Sequence, residues 1–180
     1  MSIADATTLA ARTRAAIRDV PDFPKPGILF RDITPLLANA SLFREVITEM
    51  ARPFPHVGIT HVIAVESRGF LFGVPVAQLL NVAFVPARKP GKLPCPTVDE
   101  QFALEYGSDT LSIHADAIDA SANVLIVDDV LATGGTAAAV VRLVGKCGAR
   151  VAGIAMLSEL TLLGGRAMLN GSFLHTVVQY

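Results

Sequence analysis

The segment VLIVDDVLATGGTAAAVV, residues 124–141, carries the densest chemistry in the chain. A short apolar run delivers two adjacent carboxylates, Asp128 and Asp129, to its end. Open α/β sheets bind ligands at the carboxyl ends of their strands, so acids placed there can meet a ligand. Ala132, Thr133, Gly134, Gly135 and Thr136 then lead into a helical pattern. Two glycines let backbone N–H groups turn inward on an anion, and both threonine hydroxyls can donate. The helix N-terminus adds positive potential worth about 0.3–1 kcal/mol at an exposed site. One end therefore suits a phosphate and the other suits hydroxyls or a metal, a combination that a phosphorylated sugar satisfies. A plain strand-to-helix turn with acidic capping would use the same glycines, but paired acids at a buried strand's end are costly without a partner. Other nucleotide signatures fail: there is no GxGxxG after a strand and no GxxxxGK[ST].

Cations gather in two other places. Glu66, Ser67, Arg68 and Gly69 fall where an apolar run gives way to a helical pattern. Gly69 frees the backbone there, and Arg68 offers a planar fork for bidentate phosphate binding. Read alone, the same segment fits an ion pair between Glu66 and Arg68 at a helix start. The chain has 11 Arg but only four Lys, and Lys89 and Lys92 lie almost together beside Arg88 in a Pro-Gly loop. A short basic run is usually a solvated face, but this concentration of scarce lysines points to an anion. His56, His61, His114 and His175 show no ligand or triad spacing. Cys147 falls on the apolar side of a helical pattern and reads as a buried free thiol; Cys95, between Pro94 and Pro96, reads as exposed. Neither belongs to a CxxC or Cys/His spacing, which fits a reducing cytoplasm.

The elements that must position these residues follow from periodicity. Residues 7–19 read as a helix, followed by an irregular arm with three prolines and a glycine at 21–27. Residues 41–52 read as a helix with Ser41 as N-cap. Strand 61–65, helix 69–80 and strand 82–87 form a βαβ unit, for which right-handed parallel pairing is the default. Residues 88–107 lack periodicity and are too long for an idle connection, so they read as a lid or binding segment. A short strand at 110–114, the central strand at 124–127, a helix from Thr136 stopped by Gly148, and strands at 151–157 and 173–178 complete the pattern. The alternation predicts one α/β domain over 1–180, an open, mostly parallel twisted sheet flanked by helices.

Composition narrows the partners. At 180 residues, 52% hydrophobic and 17% charged, the chain holds enough apolar surface for one core and is not disordered. A net charge of −1 argues against nucleic acid or an anionic membrane held by bulk electrostatics. The first 20 residues lack a continuous signal-peptide stretch, and no window reaches the apolar length of a membrane span.

VDDVLATGGT resembles the phosphoribosyl pyrophosphate signature of type I phosphoribosyltransferases. PGILFRDITPLL at 26–37, ESRGF at 66–70, ARKPGKLP at 87–94 and LEYG at 104–107 are similar, in order, to the adenine-specific branch of that family. The resemblance implies a type I phosphoribosyltransferase-like sheet, a small N-terminal arm or hood (about residues 1–36) over the base site, a flexible lid (about 88–110), and a homodimer. It implies transfer of a phosphoribosyl group from phosphoribosyl pyrophosphate to N9 of adenine, with Mg²⁺ held mainly through the substrate. Ala132, Thr133, Gly134, Gly135 and Thr136 would hold the 5′-phosphate, and Asp128 and Asp129 would face the ribose hydroxyls. Glu66, Ser67, Arg68 and Gly69 would meet the pyrophosphate, with Arg88, Lys89 and Lys92 compensating the leaving group. Leu29 would place its backbone at the exocyclic amine, Phe30 its ring against the base and Arg31 its donor near a ring nitrogen, with Leu160 as a second apolar wall. Without the family, Phe30 reads as a core aromatic and Arg31 as the ion-pair partner of Asp32. Arg68 and Glu105 would be catalytic, Glu105 handling a proton near the imidazole edge of adenine, and Tyr106 would follow in the lid. Two rivals are a phosphoribosyltransferase for a 6-oxopurine and a non-catalytic regulator sensing phosphoribosyl pyrophosphate. LFRDITP and LEYG favour adenine, and the chain shows no basic surface or added module of the kind the regulator needs.

Overall fold

The computed structural model describes residues 8–103 and 108–180. Helix α1 (Leu9–Ala16) starts at Thr8, whose hydroxyl oxygen accepts from the backbone N–H of Ala11. The chain turns extended at Ile17 and enters a hairpin, β1 (Arg18–Pro21) against β2 (Leu29–Asp32), pairing Arg18 with Asp32 and Pro21 with Leu29. The helix expected through residue 19 is thus cut short, because residues 18–21 satisfy their backbone groups against β2 rather than along a helix. Helices α2 (Thr34–Ala38) and α3 (Ala40–Ala51) follow. The cap of α3 is Asn39, whose side-chain oxygen accepts from the Leu42 N–H at 3.1 Å, and not Ser41.

Strand β3 (His61–Val65), helix α4 (Arg68–Leu80) and β4 (Ala83–Ala87) form the expected parallel βαβ unit. Strands β5 (Thr97–Ala103) and β6 (Ser108–His114) then form a separate antiparallel hairpin. This corrects the reading of 88–107 as aperiodic throughout. Val98, Glu100 and Phe102 alternate toward one side, but the glutamate breaks the apolar pattern, although Glu100 is only 8% exposed. Strand β7 (Asn123–Leu131), helix α5 (Gly135–Lys146), β8 (Arg150–Glu159), two 3₁₀ turns (Thr161–Leu163 and Gly165–Leu169) and β9 (Leu174–Gln179) complete the described chain.

The central sheet has the order β4-β3-β7-β8-β9 with every pair parallel. Both faces are covered, which is why its strands read as continuous apolar runs. Ile63, Val124, Ile126 and Ile154 face Val140 and Leu143 of α5, while Val62, Ala64, Leu125 and Val127 face Phe72 and Val76 of α4 and Met50 of α3. Each such fully buried large apolar side chain contributes about 1.5–3 kcal/mol relative to exposure. The consequence for function is rigidity: β3 and β7 end side by side in a fixed frame, and both feed a turn into a helix. Among the described residues no helix is long and apolar enough to cross a membrane.

Candidate active site

A cleft of about 480 Å³ opens where β3 and β7 end. One wall is the turn from β3 into α4, with Val65, Glu66, Ser67 and Arg68; the other is the end of β7, from Asp128 to Leu131. Ala132, Thr133, Gly134, Gly135, Thr136 and Ala137 close the floor as the chain bends into α5, and Phe30 of β2 reaches over the top. The strand is longer than the sequence pattern indicated, so Asp128 and Asp129 lie within β7 rather than just beyond it.

Close backbone approach explains two glycines. A Cβ on Gly69 would stand 2.7 Å from Oδ1 of Asp128, so the start of α4 reaches this carboxylate only without a side chain. Gly134 has φ +87°, a left-handed conformation, and precedes α5 without any side-chain cap. The first N–H groups of α5 are therefore turned toward the cleft end of the helix, the arrangement that receives an anion.

The electrostatics of the cleft centre on three groups. Arg68 donates to Asp129 at 2.8 Å and lies over the Phe30 ring, 5.2 Å from its centroid. Asp129 is 5% exposed; burial raises its carboxyl above the usual range, and Arg68 opposes the rise. Asp128 accepts from the Asp129 backbone N–H at 2.9 Å. Burial pushes the Asp128 carboxyl well above the ordinary carboxylate range, and the neighbouring charge of Asp129 adds to it. The alternative reading of this segment, an ion pair between Glu66 and Arg68, is not what the structure shows. Glu66 instead accepts from Nε and Nη2 of Arg88, each at 3.1 Å, and from the Lys89 N–H at 3.3 Å. The Arg88 fork holds the Glu66 carboxyl below its ordinary range. The Glu66–Ser67 peptide bond is cis.

Several expected site residues stand outside the cleft lining. Arg88 reaches it through Glu66, and its Nη1 also donates to the Lys92 carbonyl at 3.0 Å. Lys89 pairs with Asp109 of β6 at 3.1 Å. Leu29 is exposed, and Leu160 donates its backbone N–H to the Leu131 carbonyl at 2.9 Å. Arg31 does not pair with Asp32: it bonds Asp19 across the hairpin and stacks on the Tyr180 ring, 3.9 Å from its centroid, while Asp32 faces Arg18. Glu105 and Tyr106 lie outside the described residues. Cys95 is exposed as expected, but Cys147 is only half-buried. Val65, Val130, Leu131, Ala137 and Met156 also line the cleft; apolar residues in strands and in the first turn of a helix carry no sequence signal that separates them from core.

Asp128 and Asp129 are the only carboxylates on the β7 wall, and among the described residues no group of three or more His, Cys, Asp or Glu gathers to hold a metal by itself. A hard divalent cation fits here with most of its ligands drawn from substrate oxygens and water.

The chain matches the family described as Phosphoribosyl transferase domain over residues 36–159. It is 56% identical over 159 residues to the adenine phosphoribosyltransferase of Myxococcus xanthus (strain DK1622), covering 88% of this chain and 86% of that protein. The chain belongs to the adenine phosphoribosyltransferase family. Solved structures of that family superpose closely. The adenine phosphoribosyltransferase of Rhodothermus marinus DSM 4252 is 50% identical with a TM-score of 0.92, covering 96% of this chain and 98% of that one. The Saccharomyces cerevisiae enzyme, solved with an imino-altritol bisphosphate and adenine, is 41% identical with a TM-score of 0.88, covering 94% of this chain and 98% of that one. The expected phosphoribosyltransferase sheet is thereby established.

Proposed function

We infer that the protein transfers the 5-phosphoribosyl group of phosphoribosyl pyrophosphate to N9 of adenine, giving AMP and pyrophosphate, a step of purine salvage. The observation that carries this reading is one cleft wall holding Asp128 and Asp129 beside a glycine-rich floor that opens α5. The adenine bound in the yeast relative supports the choice of base.

In this reading the floor from Ala132 to Thr136 binds the 5′-phosphate through backbone N–H groups and threonine hydroxyls. Asp128 and Asp129 accept from the ribose 2′- and 3′-hydroxyls. The turn at Glu66, Ser67, Arg68 and Gly69 meets the pyrophosphate, with Arg88, Lys89 and Lys92 supplying positive charge nearby. Phe30 stacks on the base, and Leu29, Arg31 and Leu160 complete its surroundings. The N9–C1′ bond forms as the C1′–O bond to pyrophosphate breaks, and the proton of N9 leaves to a base, the role proposed for Glu105. Holding base and sugar in one geometry, together with charge fixed where it develops, supplies most of the acceleration. Arg68 is central because it touches both the base platform and the ribose acid, and its guanidinium is freed for pyrophosphate when hydroxyls replace it at Asp129. Asp128 and Asp129, together with oxygens of the substrate, would hold Mg²⁺, which would neutralise pyrophosphate charge. We propose a homodimer as the working assembly, and two free cysteines support a cytoplasmic setting.

Steady-state kinetics of D129N test the site. Losing a charge-assisted acceptor for a sugar hydroxyl raises KM for phosphoribosyl pyrophosphate, or lowers kcat/KM for it, by roughly 10- to 100-fold. Unchanged saturation by phosphoribosyl pyrophosphate would remove Asp129 from the ribose site.

A further inference from the structure

The floor of the cleft rests on a segment of chain that the activity leaves unassigned. After β8 the chain passes through the 3₁₀ turns Thr161–Leu163 and Gly165–Leu169 and packs beneath the turn that opens α5. Gly165 and Gly134 interlock. A Cβ on Gly165 would penetrate the Ala132 carbonyl oxygen and stand 2.9 Å from the Gly134 nitrogen, while a Cβ on Gly134 would penetrate the Gly165 carbonyl oxygen. Gly134 also needs glycine for its φ of +87°, but Gly165 does not have a positive φ. Closeness alone therefore excludes a side chain at Gly165.

The next residue fixes this contact to the sheet. Arg166 donates from Nε and Nη2 to the two carboxylate oxygens of Glu159, at 3.1 and 2.7 Å. Glu159 is 4% exposed, is the last residue of β8 and pairs with Leu131, the last residue of β7. Gln179 of β9 donates to the same carboxylate at 3.1 Å. The segment re-enters the core at Leu169, which is 2% exposed. The three strand ends and the floor are thus tied through one carboxylate, one guanidinium, one side-chain amide and one glycine.

We propose that Gly165 and Arg166 are positioning residues for the 5′-phosphate: Gly165 sets the distance of the Ala132–Gly134 backbone, and Arg166 locks Gly165 to the end of β8. This rests on the reading that residues 132–136 hold that phosphate. Neither residue lines the cleft, so both act through the backbone that does.

Calorimetric titration of the intact protein with ribose 5-phosphate, and separately with adenine, tests this in G165A, R166A, R166K and T136A. G165A, which overpacks the contact, weakens ribose 5-phosphate roughly 5- to 100-fold and leaves adenine within about twofold. R166A weakens ribose 5-phosphate by about 3- to 10-fold, and R166K, which keeps the charge without the fork, recovers part of that loss. Wild-type ribose 5-phosphate affinity in G165A, or an equal loss for adenine, would overturn the proposal. If G165A does not fold, the arginine pair decides: equal loss of both ligands, or of neither, in R166A refutes it. T136A separates the two readings. Unchanged ribose 5-phosphate affinity in T136A refutes the phosphate floor itself, whereas a loss in T136A with none in G165A refutes only the support.

Discussion

At the scale of single residues, Asp128 shows how the site departs from what stability alone would choose. A carboxyl raised by burial and by a neighbouring acid binds a proton up to a higher pH than it does in the unfolded chain. Its ionised form therefore weakens the fold progressively as pH rises from the unfolded value, about 4, through the folded one. Sugar hydroxyls donate to the ionised form, so substrate binding displaces the proton. Titrations of phosphoribosyl pyrophosphate in buffers of different ionisation enthalpy, at mildly acidic pH, are expected to report proton release that is smaller in D128N. D128N without ligand is expected to match or exceed the wild type in thermal midpoint, because it removes a buried charge; equal proton release in D128N contradicts this account. The two acids and the glycine-rich turn were legible from residue types and spacing. Partner choice was not: Glu66 chose Arg88 over Arg68, and Arg31 chose Asp19 and Tyr180 over Asp32. Sequence neighbours compete with residues that only the fold brings near.

At the scale of elements, the site depends on turns from strand to helix more than on the helices themselves. The β3–α4 and β7–α5 turns were legible because an apolar run, a glycine and a helical period succeed one another within a few residues. The β1–β2 hairpin and strand β5 were not, since each strand gains its identity from its partner; of the second hairpin only residues 110–114 of β6 were legible. In β5 the inward Glu100 hid the pattern, and the structure shows why a charge is tolerated there. Glu100 accepts from Arg142 Nε and pairs with Lys146 at 2.7 Å, both on α5, so the hairpin is fastened to the helix that opens at the phosphate floor. These bonds hold the Glu100 carboxyl below its ordinary range, Lys146 contributing most. The resulting stability is complete above the unfolded glutamate value, about 4.3, and is lost as pH falls through the folded one. E100Q is expected to lower unfolding free energy in urea by about 1–2 kcal/mol at pH 7, after allowance for the half-exposed cations, with the difference shrinking in acid. A difference that persists undiminished in acid would assign the effect to packing instead of charge.

At the scale of the whole molecule, a net charge of −1 conceals a segregated arrangement. Arg68, Arg88, Lys89 and Lys92 lie toward the β3 side and Asp128 and Asp129 on the β7 wall, the two sets meeting at the Arg68–Asp129 pair, with the uncharged glycine-rich floor following the acids. An all-parallel sheet buried on both faces makes that arrangement rigid, because β3 and β7 are adjacent and close-packed by helices on either side. The alternation of elements made this architecture legible, while the seating of Gly165 beneath the floor depends on its contact with Gly134, far away in sequence, and left only a glycine doublet as its trace. Base choice is the claim that joins every level, since it requires Phe30, Arg68 and the floor to act on one bound pair of substrates. Its most direct test is competition: equal concentrations of adenine, hypoxanthine and guanine offered together with limiting phosphoribosyl pyrophosphate and Mg²⁺, with the nucleotides separated by chromatography. The account predicts AMP as the dominant product with stoichiometric pyrophosphate. IMP or GMP in excess of AMP, or no nucleotide from any base, would contradict it.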